Sequence, residues 1–146
     1  MSVTPYLCCR DAARALAFYR EAFGAVETMR LAEPGGRIGH AEITIDGATI
    51  MLSDEYPEVD IRSPQALGGT PVMVHLIVAD VDAVAARAVA AGATLERPVA
   101  DQFYGDRSGQ LRDPFGHRWS IATRVEELSS AEIQRRFQKL STEEGR

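Results

Sequence analysis

Two of the three histidines sit where an acid–base or metal reaction would want them. His40 and Glu42 are separated by one residue in the run Gly39-His40-Ala41-Glu42-Ile43-Thr44-Ile45, and His75 interrupts the apolar run Val72 to Ala79. On a strand, alternate side chains share a face, so His40 and Glu42 stand about 6.5–7 Å apart at their Cα atoms and reach a common point. With His75 from a neighbouring strand they would hold a divalent metal. Without a metal, Glu42 would remove a proton next to a carbonyl, provided the site excludes enough water, and Arg118 would neutralise the enolate-like oxygen. Each residue also has a plainer role: Glu42 as a surface carboxylate, His75 as a hydrogen-bonded interior histidine. Cys8 and Cys9 are adjacent, point to opposite faces of a strand and cannot bridge to each other, and without a CxxC pair a thiolate zinc site is unsupported. Gly35-Gly36 is followed by neither a helix nor a lysine, so it is not a phosphate loop. No Ser-His-Asp set emerges from the spacing. Tyr104, Asp106 and Arg107 form an FYGDR turn, either a loop closing over a cavity or an Arg–Asp pair fastening a bend.

The elements that position these residues follow a repeat. Asp11 and Asp80, Gly36 and Gly105, and Gly47 and Gly116 are all 69 residues apart. Each half reads as βαβββ. The first has a strand over Val3–Cys9, a helix over Ala12–Phe23 stopped by Gly24, and strands near Ala25–Leu31, Ile38–Ile45 and Ala48–Leu52. The second has a strand over Val72–Ala79, a helix over Val81–Ala91 stopped by Gly92, and strands near Thr94–Val99, Gly109–Leu111 and Arg118–Ala122. The modules span about 1–55 and 72–125 within a domain 1–125. Residues 56–71, rich in Pro and Gly, connect them.

Asp46-Gly47 is a two-residue hairpin signal, which pairs Ile45 with Ala48, Ile43 with Ile50 and Ala41 with Leu52. Those six apolar residues must face the helix. Leu7, Cys9, Val72, Val74, Leu76, Val78, Trp119 and Ile121 join that side. Tyr6, His40, Glu42, Met51, Met73, His75, Arg118 and Ser120 then turn the other way. Polar groups among apolar ones suit a small-molecule cavity, whereas a merely solvated face is the competing reading.

The whole chain excludes other classes. Its net charge of -5 and pI near 5.2 give no basic stripe for nucleic acid, the one basic cluster being Arg135-Arg136. No apolar run is long enough to span a bilayer. The absence of a leader-like start fits a cytoplasmic location. In the tail 126–146, Ser129-Ser130-Ala131-Glu132 has capping-box spacing and predicts a helix whose Ile133, Phe137 and Leu140 dock on the domain or on a partner.

The paired units, with PYLCCRDAARALAFYREAFGA, GRIGHAEITIDGATIMLSDE and DQFYGDRSGQLRDPFGHRWSIATR, resemble the vicinal oxygen chelate superfamily of glyoxalases, bleomycin-resistance proteins and dioxygenases, most nearly its PhnB-like branch. The resemblance implies an α+β fold of two modules forming a cupped, antiparallel-rich mixed sheet, commonly completed in a homodimer. The family's metalloenzymes bind metal at four inward positions, which correspond here to Thr4, Met51, Met73 and Ser120. Hydroxyls and thioethers are poor ligands for hard or borderline divalent ions, so no metal cofactor is expected. A metal-free small-molecule-binding protein, with Tyr6, His40, Glu42, Met51, Met73, His75, Tyr104, Arg118 and Ser120 at its ligand, is therefore the first expectation. An enzyme with a displaced site, catalytic at Glu42 and using His40 and His75, is the second. An interaction module with the terminal helix as its handle is the third.

Overall fold

In a computed structural model that describes residues 1–143, the chain runs β1 (Tyr6–Cys9), α1 (Ala12–Phe23), β2 (Val26–Ala32), β3 (Ile38–Ile45), β4 (Ala48–Asp54), α2 (Pro64–Leu67), β5 (Met73–Ile77), α3 (Val81–Ala90), β6 (Thr94–Asp101), β7 (Asp106–Arg112), β8 (Arg118–Arg124) and α4 (Ser130–Glu143). The strands form two separate four-stranded sheets, ordered β1-β4-β3-β2 and β5-β8-β7-β6. In each, the first strand runs parallel to the last and the rest are antiparallel. Both α1 and α3 start on an aspartate, Asp11 or Asp80, whose carboxylate accepts from a backbone N–H of the first turn.

The hairpin register expected from Asp46-Gly47 is the one observed: Ile45 opposite Ala48, Ile43 opposite Ile50, Ala41 opposite Leu52. Asp46 and Gly47 both take positive φ, 50° and 85°, as a tight two-residue turn requires. Apolar residues of both sheets pack with α1 and α3 into one core. Leu7, Cys9, Ala41, Ile43, Leu52, Leu111, Trp119 and Ile121 are buried there. Trp119 of the second sheet lies against Tyr19 and Phe23 of α1, at ring-centroid distances of 5.4 and 4.7 Å, so the modules are welded through that core. Asp113, 3% exposed, adds a polar rivet. Its carboxylate accepts from the Tyr19 hydroxyl, the Trp119 indole N–H and the backbone N–H groups of Phe115 and His117.

Several expected boundaries shift. β1 begins at Tyr6 rather than Val3, leaving Thr4 ahead of the strand, and β5 begins at Met73, leaving Val72 outside it and 64% exposed instead of on the helix side. Proline at 71 removes the N–H that a longer β5 would need. β6 and β7 are longer than their apolar residues alone indicate. The connector holds a turn of 3-10 helix over Pro57–Val59 and the short α2, capped by Ser63.

The repeat also slips. Met51 pairs with Glu42, whereas Ser120, 69 residues beyond Met51, pairs with Gln110, 68 beyond Glu42. The second hairpin carries a longer loop, Asp113 to His117, than the first. Gln110 is therefore the counterpart of Glu42, and a uniform offset would have put the buried Leu111 there. Gly109 lies beside the irregular stretch of β6. A Cβ on it would come within 3.0 Å of Val99 and 3.1 Å of the Arg97 carbonyl, so glycine lets β6 close in.

Candidate functional site

The faces turned away from the core are read directly from the pairing. On the first sheet, Met29, Glu42, Met51 and Tyr6 form one row across β2, β3, β4 and β1, with Leu31 beside His40 in the next. On the second, Arg97, Gln110, Ser120 and His75 form the matching row across β6, β7, β8 and β5, and Thr94, Arg112, Arg118 and Met73 the next.

The first row holds a hydrogen-bonded chain. His40 Nε2 lies 2.8 Å from Glu42 Oε2, and His40 Nδ1 lies 2.7 Å from the Tyr6 hydroxyl. An ionised carboxylate only accepts, so Nε2 carries the proton it offers to Glu42. In the neutral ring Nδ1 then accepts, and the Tyr6 O–H donates to it. The phenol proton is thus directed inward. Partial burial, with the charge of Glu42 adding to it, holds the Tyr6 phenol above its ordinary pKa. What this chain offers to a ligand is acceptors: the second Glu42 oxygen and the lone pairs of the Tyr6 oxygen. Tyr6 is 52% exposed, and Met29 and Leu31 on the same face are also exposed.

His75 lies on the other sheet, where its Nδ1 is 3.0 Å from Ser120 Oγ. The expected trio of His40, Glu42 and His75 is therefore not assembled. Among the described residues, no group of three or more His, Cys, Asp or Glu side chains is placed to share a metal ion. Of the four metal positions implied by the resemblance, Met51 lies opposite Glu42, Met73 opposite the guanidinium-bearing Arg118, and Ser120 opposite His75. Thr4 lines a cleft of about 400 Å³ between the modules that also takes in His75 and Trp119. Two thioethers, two hydroxyls and an adjacent arginine do not fit a divalent cation.

The FYGDR turn resolves into two fastenings. Arg107 pairs with Asp82 and Asp101, at 2.8 and 3.2 Å, while Asp106 pairs with Arg124 at 2.6 Å, so Asp106 and Arg107 do not pair with each other. Tyr104 lies 3.2 Å from Ser108 Oγ, at the end of the second sheet's outward face away from Arg118. The tail helix α4 has no buried residue. Phe137 packs on Phe103, and Arg136 donates to the Phe103 carbonyl and to Glu126. Sequence reasoning missed the Tyr6–His40 contact, because the two residues are 34 apart and only the β1–β4–β3 pairing joins them.

Comparison with known proteins places this geometry. Residues 3–121 match the family model described as Glyoxalase/Bleomycin resistance protein/Dioxygenase superfamily. A Mycobacterium bovis protein is 46% identical over 136 residues, 91% of this chain and 90% of that one, and a Mycobacterium tuberculosis protein matches equally over 80% of its length. Among solved structures, TioX from Micromonospora has a TM-score of 0.67 at 27% identity, covering 88% of this chain and 100% of that one. A Bacillus cereus PhnB protein, described as a 3-demethylubiquinone-9 3-methyltransferase, has a TM-score of 0.63 at 20% identity, covering 84% of this chain and 99% of that one, which shows a shared fold. No helix among the described residues is long and apolar enough to cross a membrane.

Proposed function

The chain belongs to the Glyoxalase/Bleomycin resistance protein/Dioxygenase superfamily, and on that premise we propose that it is a metal-independent small-molecule-binding protein whose ligand lies on the outward face of the first sheet. The observation that carries this reading is the Glu42–His40–Tyr6 chain. It fixes three polar side chains with acceptors outward, beside Met29, Met51 and Leu31. The ligand such a face takes has an apolar body and a cationic or donor-rich group directed at Glu42. In the same reading the protein works as a homodimer in the cytoplasm, a second copy closing the half-exposed face around Tyr6, with both cysteines kept as free thiols.

The test is thermal-shift screening of cationic aromatic amines and their neutral isosteres, followed by calorimetry with and without chelator. Binding is expected to ignore the chelator and to weaken about tenfold or more in Glu42→Gln, since a charge-assisted hydrogen bond contributes about 1.5–3 kcal/mol. Binding that needs a divalent ion, or that is unchanged in Glu42→Gln, would sink the reading.

The hydrogen-bonded chain also favours one second reading, an enzyme in which Glu42 accepts a proton from a carbon acid and His40 holds the carboxylate in position. Consumption of any bound compound by the wild type, lost in Glu42→Gln, selects it over sequestration.

A further inference from the structure

The outward face of the second sheet gathers positive charge that no stretch of the sequence displays. Arg97 on β6, Arg112 on β7 and Arg118 on β8 occupy adjoining rows of that face, with Gln110 of β7 paired between Arg97 and Ser120. One carboxylate serves two of them. Glu96 stands 3.6 Å from Arg118 and 3.8 Å from Arg112, loose pairings beside the 2.6–2.8 Å contacts that bind Arg124 and Arg107 to their partners. Arg97 is exposed and forms no ion pair among the described residues. Three guanidinium groups against one carboxylate leave roughly two net positive charges on a patch of a chain whose total is -5.

We propose that this patch is a binding site for an oxyanion-bearing small molecule, its carboxylate or phosphate gripped by Arg97, Arg112 and Arg118, with the Gln110 amide as a neutral donor. Guanidinium forks match both oxyanions in a two-point geometry that lysine does not offer, and every cation here is an arginine. Glu96 keeps two of the forks splayed toward it and competes with the ligand. This site is distinct from the Glu42 face: it lies on the other sheet and does not depend on what Glu42 binds.

Amide NMR titration with inorganic phosphate, and separately with sodium acetate, tests it against sodium chloride at equal ionic strength. The expected result is a saturable shift confined to amides around Thr94, Gln110 and Ser120. The double variant Arg97→Gln/Arg112→Gln should weaken it about tenfold or more, and Glu96→Gln, on an exposed strand, should tighten it. Tighter phosphate than acetate identifies a phosphorylated ligand, and the reverse a carboxylic acid. Shifts no different from chloride, undiminished affinity in the double variant, or weaker binding in Glu96→Gln would each overturn the proposal. So would tighter binding of a short DNA duplex than of phosphate, which would mark a polyanion surface.

Discussion

Equivalent rows of the two sheets carry opposite chemistry. In the first, Met29, Glu42, Met51 and Tyr6 present an acceptor-rich, partly apolar surface; in the second, Arg97, Gln110, Ser120 and His75 present donors and positive charge. The backbone beneath them is the same βαβββ unit, and both buried sides are apolar, the first aliphatic around Ile43 and Leu52 and the second centred on Trp119. Duplication has therefore kept what the core demands and left the outward face to diverge. A core position admits only side chains of the right volume and polarity, whereas an outward strand position constrains chemistry very little. The hairpins differ too. The first turns on two residues with Asp46 exposed, while the second loops further to bury Asp113 against the other module.

The contrast is broken most sharply at those two aspartates. Asp113→Ala strands the Tyr19 hydroxyl, the Trp119 indole and two backbone donors in the core, and should cost about 3–5 kcal/mol in urea unfolding. Asp46→Ala loses no buried partner and should cost at most roughly 1 kcal/mol, since aspartate already takes positive φ there and tolerates it only somewhat better than alanine. Equal losses would show that Asp113 does not tie the modules together. The next effect is chemical. Burial, with Glu55 and Asp54 beside it, pushes the Cys8 thiol up to about 11, while Ile77 holds the corresponding place in the second module and is 62% exposed. The thiolate, which alone is alkylated, is scarce below that value and grows tenfold per pH unit until it is reached. At pH 8, iodoacetamide should therefore modify Ile77→Cys about a hundredfold faster than Cys8, by mass spectrometry, with the gap closing toward pH 11. The smallest effect is a single-atom exchange in the matching rows. Gln110→Glu sets a carboxylate among Arg97, Arg112 and Arg118 and should lower phosphate affinity about tenfold without altering ligand binding at Glu42. A loss at both faces would mean that they form one site.

Much of the frame was legible in residue order. The Asp46-Gly47 turn fixed which residue opposes which, and alternation then assigned Ile43 and Ile50 to the core and Glu42 and Met51 to the outside, as observed. Trp119 was readable as core from the repeat, since it lies 69 residues beyond Ile50. The site was less legible. His40 and Glu42 could be set side by side, but not the Tyr6 hydroxyl that completes their chain. His75 could be put on the outward side of a strand, but the sheet to which that strand belongs separates it from His40 and Glu42. Of the arginine patch only Arg118 was placed on the outward side, because Arg97, Arg112 and Arg118 are scattered in sequence and share a face only when β6, β7 and β8 pair.

What the sequence determined by itself is local and periodic: turns, caps, the inner and outer side of each strand, and a duplication of the unit. These rest on backbone geometry and on the need to bury apolar side chains, both set within a few residues. Tertiary structure alone decided the slip that makes Gln110 the counterpart of Glu42 in the other module, the bond from Tyr19 to Asp113 across the two modules, and the division of acceptors and cations between two sheets. Each depends on strand pairing or packing between distant segments, where a change of one residue in a loop reassigns every contact that follows.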